Sequence, residues 1–380
     1  MNKKIISAGH ICIDITPVFS KKDIYSDVKK ILEPGKLIHV DQADVHTGGS
    51  VANTGLALKF LGADVQLMGK VGKDAFGQMI QQILQQYGAG DLLVDEKSST
   101  SYSVVIAIPG IDRIFLHNPG ANDTFTNADI PESALEDTIM FHFGYPPLMK
   151  KMYENEGQEL TAIFRRMKEK GIATSLDFAA IDPGSEAGKA NWYKILESVL
   201  PYVDFFVPSF EELCFMLDRE KYETLAAAGG DMTERLDIEK DVRPLAEKLL
   251  KMGCKAVLIK CGIAGMYYQV SEIKELEKTG SRLKLDVETW AGKMGYQPCF
   301  QADRVLSGTG AGDTSIAAFL AAVLRGYAPD KCTAIAAAEG ACCVTAYDAL
   351  SGLKSLDELE ERIASGWKIR RMEKNTGYDE

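Results

Sequence analysis

The chain has 380 residues, 46% hydrophobic and 26% charged, which is typical of a globular protein. Its formal net charge of −11 and the lack of a basic run argue against a nucleic-acid polymer as a partner. No stretch approaches the roughly 18 apolar residues of a membrane span, and the first apolar stretch is too short for a secretory signal, so we predict a cytoplasmic protein without a membrane partner.

Strand-like and helix-like patterns alternate along most of the chain. Helical spacing of apolar side chains is clear at 76–87, 160–170 and 192–200. Apolar runs of strand length accompany these helices at 5–14, 63–69, 139–144, 174–178, 205–208 and 256–260. Such alternation predicts an α/β fold, in which a doubly wound, mostly parallel sheet is covered by helices on both faces.

Two segments interrupt the alternation, at about residues 15–47 and 101–122. The second segment is rich in β-branched residues and carries a turn signal at Pro109-Gly110. Taken alone, this pattern predicts a hairpin packed on the core. Polar or small residues (Asp14, Asp177, Ser209 and Gly262) stand near the ends of the predicted strands, at the sheet edge where ligands gather in such folds.

A first glycine motif, Thr47-Gly48-Gly49-Ser50-Val51-Ala52-Asn53, runs into an apolar helix. Asn53 falls in the first turn of that helix, where its amide can both donate to and accept from a sugar hydroxyl. Asp14, at the end of the first predicted strand, would lie near it, although an aspartate there is more often a turn former.

A second motif, Ser307-Gly308-Thr309-Gly310-Ala311-Gly312-Asp313, also leads into an apolar helix. Its glycines leave N–H groups uncovered at a helix N-terminus, where an anion can bind. A carboxylate beside a bound phosphate is unfavourable unless it accepts a proton there, so Asp313 is a candidate base; the alternative is an ordinary helix cap. No Gly-Lys-Ser/Thr follows, so the motif is not a P-loop.

Together these segments resemble the ribokinase-like (PfkB) family of carbohydrate and nucleoside kinases. Residues 48–53 match the family's G-G-x-x-x-N signature, and 310–313 match the core of its D-T-x-G-A-G-D signature. The resemblance covers nearly the whole chain and implies one kinase domain over 1–380. It also implies that the segments about 15–47 and 101–122 form a small β lid over the substrate, through which a homodimer could form.

The resemblance assigns roles by position. Asp313 matches the catalytic base, and Gly310, Ala311 and Gly312 match the anion hole. Hydroxyl-binding positions are matched by Asp14, Gly48, Gly49 and Asn53. The nucleotide and its Mg²⁺ would be held by Ser209, Glu212 (which orders the metal through water), Lys260, Gly262 and Gly265. The implied reaction transfers the γ-phosphoryl group of ATP to a primary hydroxyl of a small sugar.

Three positions depart from the family pattern. Ser209 replaces an asparagine near the magnesium site. Ser307 replaces an aspartate that helps to form a monovalent-cation site, which makes such a cation doubtful here. Cys12 replaces the hydroxyl-binding asparagine of ribokinases, which weakens the case for ribose.

Several alternatives stay open at this stage. A nucleoside kinase and a catalytically silent sugar or nucleotide sensor are the competing functions. Asp177 is either a strand-end cap or a partner of magnesium, and Lys260 either covers a phosphate or is only solvated. Arg113 is interpreted as a solvated lid charge. The side chains expected to distinguish a sugar from a nucleoside are Phe115, His117, Phe143 and Tyr145.

Overall fold

The computed structural model describes residues 4–19, 28–109 and 114–370. The strands are β1 (Lys4–Gly9), β2 (Cys12–Pro17), β3 (Ala43–Gly48), β4 (Asp64–Met68), β5 (Lys70–Gly72), β6 (Leu93–Asp95), β7 (Tyr102–Ile106), β8 (Ile114–Asn118), β9 (Thr138–Gly144), β10 (Ala173–Leu176), β11 (Phe205–Phe206), β12 (Ala256–Lys260), β13 (Met266–Val270) and β14 (Met294–Gln297).

The α-helices are α1 (Ser50–Phe60), α2 (Ala75–Gln86), α3 (Glu132–Leu135), α4 (Lys150–Tyr153), α5 (Gln158–Glu169), α6 (Glu186–Lys189), α7 (Trp192–Val199), α8 (Phe210–Leu217), α9 (Arg219–Ala228), α10 (Arg243–Lys251), α11 (Ile273–Leu276), α12 (Val287–Trp290), α13 (Ala311–Arg325), α14 (Pro329–Cys343) and α15 (Leu356–Ala364). Among these helices, none has the length and apolar character needed to cross a membrane.

The main sheet has eight strands in the order β14-β13-β12-β11-β10-β9-β1-β4. The strands from β12 to β4 pair in parallel, whereas β13 and β14 extend the sheet in antiparallel pairs. The predicted doubly wound, mostly parallel sheet is therefore confirmed. The region 271–295 supplies two short helices, α11 and α12, and the start of the edge strand β14.

Neighbouring strand residues point to opposite faces of this sheet, and each face has its own core. Ile6 and Phe206 pack with α5, α7, α8 and α10, whereas Ile5 and Phe205 pack with α1, α13, α14 and α15. Because successive side chains in a strand alternate between faces, strands buried on both sides are continuously apolar. Burial on both sides explains why the sequence shows apolar runs of strand length. The two cores also confirm the predicted helices on both faces of the sheet.

The first predicted strand, 5–14, is in fact two strands that belong to different sheets. Gly9 has φ 123°, and a Cβ at this position would lie 2.2 Å from the carbonyl oxygen of Gly144 at the end of β9. The chain turns there, and β2 leaves the main sheet. The prediction that Asp14 ends a main-sheet strand is therefore wrong, since Asp14 lies within β2.

We call the second sheet the lid sheet; it has four strands in the order β3-β2-β7-β8. Its strands come from the two segments predicted at about 15–47 and 101–122, although β2 already begins at Cys12 and β3 continues to Gly48, and the role of this sheet as a lid stays a prediction. The register places Asp14 opposite Ser103, and Ser103 opposite His117, so a row of polar side chains crosses the sheet. Residues 20–27 and 110–113, which include Gly110 of the predicted turn and Arg113, lie outside the described residues.

Glu339 of α14 gives a prediction about stability. The side chain is fully buried, and both its oxygens accept the backbone N–H of Lys354, at 3.3 and 3.2 Å. Burial raises the pKa of this carboxyl to about 8. Between the ordinary carboxyl pKa and about 8 the folded chain binds a proton that the unfolded chain has released, so the free energy of unfolding falls as pH rises.

We therefore expect Glu339→Gln to raise the melting temperature at pH 8 by at least about 2 °C, and to change it little at pH 4. Calorimetry of both proteins at the two pH values measures the effect. An unchanged or lower melting temperature of the variant at pH 8 would contradict the interpretation.

Candidate active site

A single cleft of about 3060 Å³ collects the predicted site residues. It is lined by the ends of main-sheet strands, by the N-terminus of α13 and by residues of the lid sheet. Every predicted site residue except Gly48 lines this cleft. Asp14 and Asp313, which are 299 residues apart in the chain (313 − 14), thus contribute to the same cavity.

The Asp313 carboxylate is held at the start of α13 by three side chains. Oδ2 accepts the Asn53 amide N–H at 2.9 Å, and Oδ1 accepts the Thr54 hydroxyl at 3.3 Å. The Tyr145 hydroxyl lies 2.9 Å from Oδ1 and 2.8 Å from Oδ2. Burial raises the pKa of Asp313, while the bonds from Asn53 and Tyr145 and the charge of Lys260 oppose that rise. The carboxyl is therefore poised to take up a proton more readily than an exposed aspartate.

The glycine turn before α13 needs its small residues. Gly310 is the N-cap with φ 76°, and a Cβ there would lie 2.3 Å from Ala349 Cβ. At Gly312 a Cβ would meet only the Lys260 stem, at 3.9 Å, so the backbone is uncovered on that side. The N–H of Ala311 donates to Gly308 O at 3.3 Å, and this bond would have to open for it to face an anion.

Lys260 is a buried cation beside this turn. Its Nζ lies 2.6 Å from Asp177 Oδ1, and the two side chains are 12% and 2% exposed. Burial raises the pKa of the Asp177 carboxyl, and the Lys260 charge opposes that rise. Burial works against the Lys260 charge, but Asp177 and Glu212 raise its pKa above the ordinary value. The alternatives of a solvated lysine and a strand-end cap are therefore wrong, since the two residues form an ion pair in the cleft.

Ser209 and Glu212 form the N-terminal cap of α8. Glu212 Oε2 accepts the Ser209 N–H at 2.7 Å, and the Ser209 hydroxyl accepts the Glu212 N–H at 3.2 Å. This reciprocal pair is a capping box, which explains a serine at this position on structural grounds. Both residues line the cleft, so the cap also fixes the carboxylate beside it.

Gly262 and Gly265 shape the turn that follows β12. Both have positive φ, 51° and 104°, which favours glycine. A Cβ on Gly265 would lie 2.3 Å from Gln297 O, and one on Gly262 would lie 2.6 Å from Thr233 Oγ1. The turn therefore lies close against its neighbours while it lines the cleft.

Asp14 faces the cleft from the lid sheet. Its Oδ1 accepts the Cys12 thiol at 3.3 Å, and its carboxylate also bonds with Ser103. Burial raises the pKa of Asp14, while these two bonds and the charge of His46 lower it. Gly49, with φ 85°, lies against His10 in the same wall, where a Cβ would come 2.5 Å from His10 O.

Gly48 lies directly behind Asp14, where a Cβ would come within 2.1 Å of Asp14 Oδ2. If Asp14 binds the acceptor of a kinase, as the family resemblance implies, Gly48→Ala should displace the carboxylate and raise the KM for the acceptor by about tenfold, with little effect on the KM for ATP. Steady-state kinetics with each substrate varied in turn measures the two effects. Gly184→Ala is the control, because a Cβ there meets only the Asp182 carboxylate, at ordinary distances of 3.5 and 3.8 Å.

The structure corrects one of the four aromatic predictions. Phe143 is fully buried and packs against Phe125, Phe141 and Phe164, so it does not reach the cleft. The other three side chains, Phe115, His117 and Tyr145, line the cleft as predicted.

The contacts of Tyr145 and Thr54 with Asp313 are not predicted by the sequence patterns above. Thr54 directly follows Asn53 in the same helix, and this neighbourhood is a signal that could have indicated its contact. The sequence carries no signal that would bring the Tyr145 hydroxyl to a carboxylate 168 residues away.

Fold and cleft together define an enzyme of the carbohydrate-kinase class. The model of the pfkB family carbohydrate kinases matches residues 3–356, and the chain therefore belongs to that family. A ribokinase from Arabidopsis thaliana is 23% identical over 337 residues, which are 87% of this chain and 76% of the relative. A nucleoside kinase from Methanocaldococcus jannaschii is 23% identical over 95% of this chain and 97% of its own length.

Solved structures share the fold. The Arabidopsis thaliana ribokinase complexed with ribose and ATP has a TM-score of 0.68 at 19% identity, with 95% of this chain and 98% of that chain covered. A chain from E. coli solved in complex with ATP and Mg²⁺ has a TM-score of 0.66 at 19% identity, covering 96% and 99%.

Proposed function

We propose that this kinase transfers the γ-phosphoryl group of ATP to a primary hydroxyl of a small sugar or sugar-like substrate. The observation that carries the proposal is the position of Asp313. Its carboxylate lies in the same cleft as the uncovered Gly312 backbone, the Lys260 cation and the polar row of the lid sheet. A base beside an anion site, facing groups that can bind hydroxyls, is what phosphoryl transfer to an alcohol requires.

The acceptor end of the site is built from the lid sheet and α1. In the proposal Asp14, Gly49 and Asn53 bind substrate hydroxyls, and Gly48 leaves room for the Asp14 carboxylate. Ser103 and His117 continue this polar row across the lid sheet, where the Ser103 hydroxyl lies 3.1 Å from His117 Nδ1. Closure of such a sheet over the acceptor excludes water, which would compete for the phosphoryl group.

The phosphate end of the site is built from the α13 turn and the strand ends. The amides of Gly310, Ala311 and Gly312 and the dipole of α13 stabilise the charge that develops on the transferred group. The Lys260 ammonium adds a fixed positive charge there. Gly262, Gly265 and Ser209 line the space for the remaining phosphates.

In the proposal one carboxylate holds a magnesium ion through water, since the described residues contain no group of three or more His, Cys, Asp or Glu side chains that could hold a metal ion. Glu212 offers a carboxylate that its capping box holds at the cleft, and carboxylate oxygen is a preferred Mg²⁺ ligand, used here through water. When bound, Mg²⁺ neutralises the β- and γ-phosphates. The neighbouring E. coli structure with ATP and Mg²⁺ supports this choice of metal and nucleotide.

The reaction itself is one displacement at phosphorus. Asp313 accepts the proton of the substrate hydroxyl as the new O–P bond forms, and the bond between the γ-phosphorus and the bridging oxygen of ADP breaks. The raised pKa of Asp313 suits a group that must hold a proton after transfer.

One observation supports a nucleoside as the alternative acceptor. The rings of Phe115 and His117 line the lid side of the cleft, where a base could stack on them. Nearly the full length of the nucleoside kinase from Methanocaldococcus jannaschii aligns with this chain. A silent sensor would bind the same ligands without turnover.

A coupled assay for ADP release tests the proposal over panels of free sugars, polyols, sugar phosphates and nucleosides. We expect turnover of ATP that depends on an added sugar or polyol. Turnover only with nucleosides would favour the alternative, and ligand-induced thermal stabilisation without any turnover would identify a sensor.

Ser307 and the outer face of the lid sheet bear on two further predictions. The Ser307 hydroxyl donates to Thr309 Oγ1 at 3.0 Å and accepts the Thr309 N–H at 3.1 Å, which engages it within its own turn. A monovalent cation therefore stays doubtful in the proposal.

Leu116 on β8 is 54% exposed, which is compatible with the proposed homodimer through the lid sheet.

A further inference from the structure

Tyr145 makes a contact that the proposed reaction leaves unexplained. Its hydroxyl is within 2.9 Å of both oxygens of Asp313, so one phenolic proton is shared between them. Asn53 already donates to Oδ2, and Thr54 to Oδ1. An alcohol that passes its proton to this carboxylate needs the position that the phenol occupies.

We propose that the Tyr145 hydroxyl holds the acceptor-hydroxyl position on Asp313 until a substrate alcohol binds and displaces it. The inference rests on the proposed function of Asp313. While the phenol is in place, water cannot take that position and attack the γ-phosphorus. Tyr145 is thus a positioning residue that suppresses the hydrolysis of ATP before the acceptor binds.

The backbone around Tyr145 holds the ring toward Asp313. Tyr145 follows β9 directly and adopts the left-handed conformation, with φ 66° and ψ 44°, before Pro146 and Pro147. That conformation is unfavourable for a residue with a side chain, so it persists only where the surrounding structure holds it. The Tyr145 N–H donates to Asp177 O at 3.3 Å. Because the backbone is fixed in this way, displacement takes place by rotation of the side chain into the cleft that it lines.

The groups around the contact keep the phenol a donor. Burial and the adjacent Asp313 raise the pKa of Tyr145 well above its ordinary value. The His10 ring lies 6.1 Å from the Tyr145 ring, and burial and His117 lower the pKa of His10, which keeps it neutral. The charged or titratable groups that act on this pair are Lys260, Asp177, Glu212, Asp14 and Cys343.

Tyr145→Phe tests the proposal, because it removes the hydroxyl and keeps the ring. We expect the hydrolysis of Mg-ATP without acceptor to rise about tenfold, because water can then reach Asp313. We expect the KM for the acceptor to fall about three- to tenfold, because no competing hydrogen bond has to be broken. The control is Tyr153→Phe, the same change on a tyrosine that lines the cleft and for which no contact with Asp313 is seen.

The pH profile separates displacement from a permanent contact. The profile of kcat/KM reports groups of the free enzyme, and that of kcat reports groups of the substrate complex. Loss of the donated bond raises the pKa of Asp313, so the acidic limb of kcat/KM moves to higher pH in Tyr145→Phe. The acidic limb of kcat stays in place if the acceptor has already displaced the phenol.

Contrary results are easily distinguished. A higher acceptor KM with unchanged hydrolysis, or a shift of both pH limbs, would identify Tyr145 as a permanent clamp and overturn the proposal. If Tyr145→Phe does not fold, a crystal structure of the unsubstituted chain with a non-hydrolysable ATP analogue and the acceptor found in the screen decides. Retention of the contact with Asp313 in that complex overturns the proposal, and its loss supports it.

The measurement of ATP hydrolysis without acceptor needs no sugar. The proposed function and the proposed role of Tyr145 can therefore be tested separately. If Tyr145→Phe raises ATP hydrolysis but no sugar or polyol increases ATP turnover in the unsubstituted protein, the sugar is rejected as substrate and the role of Tyr145 is kept. Absence of ATP turnover in every protein, with or without acceptor, would reject the proposed function and this role with it.

Discussion

Asp313→Asn is expected to lower kcat by about 10²–10⁴ while the fold is kept. The amide keeps the shape of the carboxylate, and an amide oxygen can accept from Asn53 while its NH₂ donates to the Thr54 and Tyr145 hydroxyls, which also accept. Only the capacity to take the proton of the acceptor is lost. Rapid-quench measurement of one turnover shows whether the chemical step has slowed.

Stability provides an independent readout for the same variant. Because burial raises the pKa of Asp313, its charge opposes folding at neutral pH, so the asparagine should leave the melting temperature unchanged or raise it. Asp123→Asn is the matched control, since Asp123 lines the same cleft and accepts the Lys150 N–H instead. Near-normal turnover of Asp313→Asn would show that Asp313 is not the base of the reaction.

The two glycine motifs made much of the site predictable, because each has a local physical reason. Gly310 must adopt a left-handed conformation against Ala349, and Gly49 must adopt a positive φ against His10. Because glycine adopts a positive φ more readily than other residues and has no Cβ, each of these requirements is visible in the sequence as a glycine. Alternation of apolar runs and helical patterns likewise predicted the sheet, because its strands are buried on both faces.

Other features depend on contacts that no local pattern encodes. The run 5–14 is largely apolar, and only the closeness of Gly144 to Gly9 shows that it divides between two sheets. Phe143 and Tyr145 stand two residues apart, which in a continuing strand would place both on one face. The left-handed conformation of Tyr145 ends that alternation, so one ring enters the core and the other the cleft.

The ion pair of Lys260 and Asp177 gives the second large prediction. Lys260→Met leaves a carboxylate that is 2% exposed without its partner, which should cost about 3–5 kcal/mol in the free energy of unfolding. The variant also loses the cation beside Gly312, and we expect kcat to fall by about 10²–10³ in the folded protein. Urea denaturation and initial rates measure the two effects separately.

The double variant Lys260→Met/Asp177→Asn distinguishes stability from catalysis. Removing both charges should restore most of the lost stability, because no unpaired buried charge remains, yet turnover should stay low. The control is Lys168→Met, which breaks a second buried pair, Lys168 with Asp204 at 2.5 Å, outside the cleft. That variant should lose stability to a similar extent and keep its kcat. If the double variant regained turnover together with stability, Lys260 would serve only to neutralise Asp177, and its proposed action on the phosphates would be wrong.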